Sequence, residues 1–408
     1  MRPHPRAMSR LGLWGLLGLL AAGCAPAGRR GAPAGVAAAA PAMLTHRAVP
    51  PPGGAPAEVV AAIPHARWDR GLAQAAGALV ALAAGGRAPT DVATRRAVLD
   101  RAAFPGPASF AQARTAGELP QAMIDEIIVA AAGAPVDIGL ASRTWGDGSV
   151  LWVVGWAAHH ADLKPIPQQV GLDDTVPVAV YPTDRAAPLT LFLAPPDGVV
   201  EAIPLDPGVD RWLDRFHTPG AYRLEVVQGE GTAARVVLLW SVFVDGPPPA
   251  PPPPRPPPTV NPDPAAAEAK LYAALDALRR ARGLPALQRF PLFEPLAREH
   301  SALLAARGVV AHAVPGAPGG VPARAARVAH PRARHLENVA AALDADEAMA
   351  LVVDSPGHLQ ALLCTACSHV AIGAALEPVL DRRPRLFVTW ELLAFPEGPP
   401  QPIDRLDR

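Results

Sequence analysis

His312, Glu337-Asn338-Val339-Ala340 and Ser355-Pro356-Gly357-His358 are the points of one stretch on which the reading of the whole chain turns. Two imidazoles and a carboxylate recur there at intervals of 25 and 21 residues, in a segment rich in alanine, with valine, leucine and arginine. Each interval has room for a helix, so the three groups cooperate only if the fold brings them together. The spacing is not a local metal signature such as two histidines one helical turn apart. If they do meet, two neutral imidazoles and one carboxylate give zinc three protein bonds and leave a position open, which permits metal-assisted hydrolysis. Without a metal, the same groups can act as general acid and base, since histidine ordinarily titrates near about 6.5. They can also be purely structural, a buried Glu337 held by imidazoles that specify one packing.

The local signals around this stretch are regular. Asp263-Pro264 opens a helix that continues to Arg282 with Leu271, Leu275 and Leu278 on one face, and Gly283 ends it. Further helices are expected over 291–307, stopped by Gly308, and over 346–353. Ser355 and Pro356 suit the N-cap and first position of the next one, which puts His358 in its first turn and makes Ser355 a cap rather than a nucleophile. Strands are expected over 369–376 and 386–395, with Glu391 on the face of Thr389 and opposite Trp390.

Taken in order, these motifs resemble the CAP superfamily in its bacterial secreted form, over about a third of the chain. Leu275-Asp276-Ala277-Leu278-Arg279 and Gly283-Leu284-Pro285-Ala286-Leu287 look like the opening helix of that family and its Gly-Leu-x-x-Leu continuation, with Asp276 where asparagine is usual. Leu296-Ala297-Arg298-Glu299-His300-Ser301 looks like its second helix, His312 like its first cavity histidine, and the next two motifs like its Glu-Asn-hydrophobic-Ala and Ser-Pro-Gly-His sequences. Val370-Ala371-Ile372-Gly373 and Phe387-Val388-Thr389-Trp390 are similar to its closing strands. Val353, Leu359 and Ala361 depart from the usual tryptophan, arginine and asparagine, at the rim of the cavity rather than its centre. The resemblance implies a three-layer α-β-α sandwich over 264–398 and a cavity cluster of His312, Glu337, His358 and Glu391. His312, Glu337 and His358 are its candidate zinc ligands. It also implies a binding module more readily than an enzyme. Cys364 and Cys367 follow the Ser-Pro-Gly-His helix at a spacing that allows a disulfide if the backbone turns. Metal ligation by the pair with His369 stays open.

Upstream, residues 247–258 are proline broken only by Ala250 and Arg255. Such a run forms a polyproline II rod of roughly 37 Å, here a spacer within a linker over 246–263. Before it, 164–245 changes to short strands with frequent turns, including Val176-Pro177-Val178-Ala179-Val180, Thr190-Leu191-Phe192-Leu193 and Tyr222-Arg223-Leu224-Glu225-Val226. In the last of these the apolar residues alternate with Arg223 and Glu225, one face to a core and the other to water. A β-sandwich of immunoglobulin-like type is expected. His159-His160 and His217 read as isolated surface histidines.

Residues 58–160 carry helical patterns over 68–80, 90–102 and 119–132, then a hairpin around Gly146-Asp147-Gly148. Leu72-Ala73-Gln74-Ala75-Ala76 can be laid on the segment beginning at Leu296, and Val136-Asp137-Ile138-Gly139-Leu140 on the strand beginning at His369. This predicts a degenerate CAP-like α/β unit with nothing to match His312, Glu337 or His358. The whole chain is therefore expected to be a multidomain α/β protein.

At the start, Arg2, Arg6 and Arg10 precede an apolar run too short to span a bilayer, which reads as an export signal over 1–23. It ends in Leu20-Ala21-Ala22-Gly23-Cys24, which resembles the lipobox of bacterial lipoproteins and makes Cys24 the lipid acceptor. Residues 24–57, rich in alanine, proline and glycine, bury too little to order and read as a tether. Dual acylation would hold such a protein on a membrane without a spanning helix, the outer one being favoured over the inner. The 37 basic and 37 acidic residues cancel with no basic block, which argues against nucleic acid as a partner. The function expected is that of an envelope-anchored binding or scaffolding lipoprotein recognising a lipid, glycan or peptide beside His312, Glu337 and His358. The alternative is a metal-dependent hydrolase of envelope peptides.

Overall fold

The computed structural model describes residues 11–12, 50–84, 91–131, 133–230, 234–248, 261–314, 324, 334–379 and 383–395. The expected lipid acceptor Cys24 and the proline run from 249 onward lie outside them, as does the export signal except for Leu11–Gly12, which pairs with Ala113 and Gln112 at a sheet edge. Among the described residues no helix is long and apolar enough to cross a membrane.

The first described helix begins inside the expected tether. Helix α1, Ala55–Ala62, starts on a proline in its first turn and buries Val59. Then come β1 (Ala66–Trp68), α2 (Arg70–Ala84), α3 (Val92–Arg101), β2 (Ser109–Thr115), α4 (Gln121–Ala131) and the hairpin β3 (Val136–Thr144) and β4 (Val150–Ala158). Asp91 caps α3 through the Thr94 amide, so the helix starts later than its pattern alone suggests. The sheet order is β2-β4-β3-β1, with β1 parallel to β3 and the other pairs antiparallel. One face buries α1 and α4 against Ile138, Trp152 and Val154, and the other buries α2 and α3 against Phe110 and Val153.

Nine short strands follow: β5 (Ala161–Leu163), β6 (Gln169–Val170), β7 (Val176–Val178), β8 (Val180–Pro182), β9 (Leu189–Ala194), β10 (Glu201–Leu205), β11 (Arg211–Leu213), β12 (Gly220–Gln228) and β13 (Arg235–Val244). They form a sheet in the order β10-β9-β12-β13-β6, with the pairs β5-β8 and β7-β11 over it, around one core that includes Leu191, Phe216 and Leu224. The second layer is thus two ribbons rather than a full sheet.

The last unit runs α5 (Pro264–Ala281), β14 (Gln288–Arg289), α6 (Glu294–Arg307), β15 (Arg334–Ala342), α7 (Ala345–Asp354), α8 (Pro356–Leu362), β16 (His369–Leu376) and β17 (Leu386–Ala394). Its sheet order is β14-β16-β17-β15, with β14 parallel to β16 and the rest antiparallel. Helices α5 and α7 cover Ile372, Val388 and Trp390 on one face, and α6 covers Ala371, Val339 and Phe387 on the other. This is a three-layer α-β-α arrangement, and the first unit has the same sheet order, strand directions and layering. One detail recurs in both. A Cβ on Gly139 would lie 2.1 Å from the Ala73 amide nitrogen, and one on Gly373 would lie 2.2 Å from the Ala297 carbonyl carbon. In each sheet a glycine lets the helix backbone of α2 or α6 approach the first strand of the closing hairpin.

The units are not held apart by a rod. Arg95 of α3 makes a buried ion pair of 3.0 Å with Glu347 of α7, and Arg96 reaches Asp354 at 3.3 Å. Asp100 accepts from Ser241 and Arg223 of the strand unit. Phe192, Val200 and Val227 share an apolar cluster with Leu359 and Leu363 of α8. The spacer expectation therefore needs correcting: buried charges and apolar contacts hold the last unit directly against the other two.

Candidate functional site

Strand β15 carries the site because its alternation sorts two kinds of side chain. His335, Glu337 and Val339 point toward α6, while Asn338 and Ala340 point toward α7 and α8. On the α6 side Glu337 stands directly opposite Glu391 of β17, and both carboxylates are buried. Two like charges in that register repel strongly and need cations close by.

Arg324 supplies one. Its Nη2 donates to Glu337 Oε2, its Nε to Glu391 Oε1 at 3.3 Å, and its Nη1 to the His312 carbonyl at 3.3 Å. His312 Nδ1 lies 2.6 Å from Glu337 Oε1. A carboxylate only accepts, so that nitrogen carries the hydrogen. His335 Nε2 lies 2.7 Å from Glu391 Oε2 but off the line of a hydrogen bond, leaving a charge contact rather than a directed one. His300 of α6 donates from Nε2 to the Ala311 carbonyl at 3.1 Å, with Glu337 Oε2 at 3.8 Å. Burial, reinforced by the nearby guanidinium of Arg324, pushes His300 down to about 4, so this imidazole is neutral. Burial also lowers the pKa of Arg324 itself, opposed by Glu391.

His358 belongs elsewhere. Ser355 caps α8, its Oγ lying 2.7 Å from His358 Nδ1. The same Oγ lies 3.0 and 2.9 Å from the two oxygens of Glu225, and Glu225 Oε2 accepts from the Gly357 amide at 2.6 Å. Asn338 donates to the His358 carbonyl at 2.9 Å, which ties α8 to the face of β15 opposite Glu337. Glu225, expected to face water, is fully buried between units. Burial pushes it up to about 7 against the two donors of the Ser-Pro-Gly-His turn.

Of the four expected cluster residues, then, His312, Glu337 and Glu391 come together and His358 does not. Among the described residues no group of three or more His, Cys, Asp or Glu side chains is arranged to hold a metal ion. The expected zinc set of His312, Glu337 and His358 is corrected on two grounds: His358 is turned into the first turn of α8, and both Glu337 oxygens already have partners. Cys364 and Cys367 form a disulfide, with Cα atoms 5.4 Å apart, so their thiols are not metal ligands. Sequence reasoning missed His300, Arg324 and His335. Alternation from Glu337 gives His335, and helical spacing from Leu296 and Ala297 gives His300, but nothing periodic marks Arg324. His159, expected at the surface, is 7 % exposed and sits 3.0 Å from Asp137, which Arg67 also holds.

At β15, the last strand of its sheet, His358 borders a cavity of about 90 Å³ at the meeting of all three units. Val92 and Leu99 of α3, Leu239 of β13, Val339, Ala341 and Leu351 give it aliphatic walls. Arg95, Arg96, Glu225, Asp354 and Ser355 are its charged and polar lining residues beside His358.

Solved structures to which the chain is similar include SCP-domain, secretory and outer surface proteins. One is an extracellular protein containing an SCP domain from Bacillus anthracis str. Ames, 15% identical over 59% of this chain and 87% of that one, with a TM-score of 0.28. A cysteine-rich secretory protein from Staphylococcus aureus subsp. aureus Mu50 is 9% identical over 66% and 92%, with a TM-score of 0.25. An outer surface protein from Borrelia burgdorferi is 21% identical over 31% and 92%, with a TM-score of 0.27. Overlap of this size places no residue of the site. No family model and no curated protein matches the chain.

Proposed function

We propose that this is an exported, lipid-anchored binding protein of the bacterial envelope, attached through Cys24, whose last unit is a CAP domain and whose first is a CAP-like copy without the cavity residues. The ligand is an aliphatic group of an envelope lipid, received in the cavity beside His358. The observation that carries this reading is the cavity itself, aliphatic over most of its wall with Ser355, His358 and two arginines at hand.

Hydrolysis is less well supported. Ser355 has one hydroxyl hydrogen, and an ionised Glu225 takes it; the serine must then accept from His358 Nδ1. An imidazole donating to a serine is not the base that activates it, and the carboxylate touches the serine where a triad would have it orient the histidine.

Titration with octanoate, followed by isothermal calorimetry, tests the proposal. Binding to the wild type and at least tenfold weaker binding to Ala340→Phe, which adds a ring at a lining position on the α7 face of β15, are expected. No binding to the wild type, or equal binding to both, refutes it.

A further inference from the structure

The buried cluster on the α6 side of β15 has the donor chemistry of a metal centre without being one. Two carboxylates face each other across adjacent strands, and His312 and His335 lie 2.6 and 2.7 Å from their oxygens. A pair of buried carboxylates in that register is costly unless one is protonated or a cation lies between them. The position is taken, since Arg324 reaches Glu337 through Nη2 and Glu391 through Nε, with the His312 carbonyl on Nη1. A guanidinium suits this role because it is planar, presents its donors as a fork and keeps its charge when buried.

We propose that Arg324 is the resident cation of this cluster and stands in place of a divalent metal ion. The guanidinium and a metal are alternatives at one position. While Arg324 is seated, Glu337 and Glu391 have no oxygen pair to offer a metal. Removing the guanidinium leaves two facing carboxylates with His335 and His312 beside them, an oxygen and nitrogen set suited to zinc or cobalt. This inference concerns Glu337, Glu391 and Arg324, none of which lines the cavity at His358, and stands or falls independently of it.

The test uses the full chain with cobalt(II) as a spectroscopic substitute for zinc. Wild-type protein, stripped with chelator and dialysed, is expected to bind no stoichiometric cobalt and to show no ligand-field absorption. Arg324→Ala is expected to bind one equivalent and acquire those bands, with binding at least a hundredfold weaker in Arg324→Ala/Glu337→Gln. Should Arg324→Ala not fold in chelator, refolding with cobalt decides: recovery of the native circular dichroism only with metal supports the interchange, and no recovery overturns it. One equivalent bound by wild type also overturns the proposal, as does a folded Arg324→Ala that binds none.

Discussion

A carboxylate on the outward face of a half-buried strand normally meets water, and Glu225 instead meets the first turn of a helix from another unit. Alternation with Tyr222, Leu224 and Val226 gave its side of the strand correctly, but what lies on that side is a long-range fact that no local pattern encodes. The same limit applies to Arg324, whereas strand period gave the face of Glu391, and His312 and Glu337 were legible through the resemblance that the order of motifs carries. Two opposed pH dependences follow. Glu225, pushed up to about 7, contributes stability that is complete below its ordinary 4.5 and is lost as the pH rises through about 7. His300, pushed down to about 4, contributes stability that is present above 6.5 and is lost as the pH falls through about 4. The two windows, 4.5 to about 7 and about 4 to 6.5, nearly coincide with opposite slopes, so wild-type urea midpoints are expected to change little between pH 4 and 9. Glu225→Gln, which keeps an acceptor for the Gly357 amide, should uncover the rise in stability with pH that His300 contributes below 6.5. Midpoints of this variant as level as those of wild type would remove Glu225 from the account.

The elements were the most legible part of the chain, since helix caps and strand alternation are local. Asp263, Ser355 and Gly308 mark the ends of α5, α8 and α6 as expected. Less legible was the closeness of α2 and α6 to their sheets, although Gly139 and Gly373 sit where that closeness is greatest. With backbone atoms within 2.2 Å of an added Cβ, neither site can yield by a side-chain shift. Gly139→Ala and Gly373→Ala should each cost about 1–3 kcal/mol or more through overpacking, read from urea denaturation of the purified variants. The Cys364–Cys367 bridge, by contrast, closes a loop so short that it restrains the unfolded chain only weakly. Its reduction should lower stability by about 2 kcal/mol, measurable as a drop in Tm with the cavity at His358 still competent for octanoate.

At the scale of the molecule, the sequence suggested separate units in a row, because composition marks boundaries well and contacts between units poorly. Arg95 and Arg96 lie on a helix read from sequence without partners outside its own unit, and they carry the pairs with Glu347 and Asp354 that fasten the first unit to the last. Arg95→Ala leaves Glu347 without this buried partner and should cost about 3–5 kcal/mol. Scanning calorimetry is the check: one cooperative transition is expected for wild type and two for Arg95→Ala/Arg96→Ala. A single transition in the double variant would mean that the apolar contacts suffice.

The direct packing of the strand unit on α8 also changes what the proline-rich segment is for. Pro248 and Asn261, the described residues that flank it, belong to units already touching, and the entropic cost of lengthening a flexible join between such points grows only slowly, by about 0.6 kcal/mol for each doubling. The join is then dispensable as a covalent link. A protease cut within it would yield two chains that stay together, and the two halves, made separately, would find each other as partners.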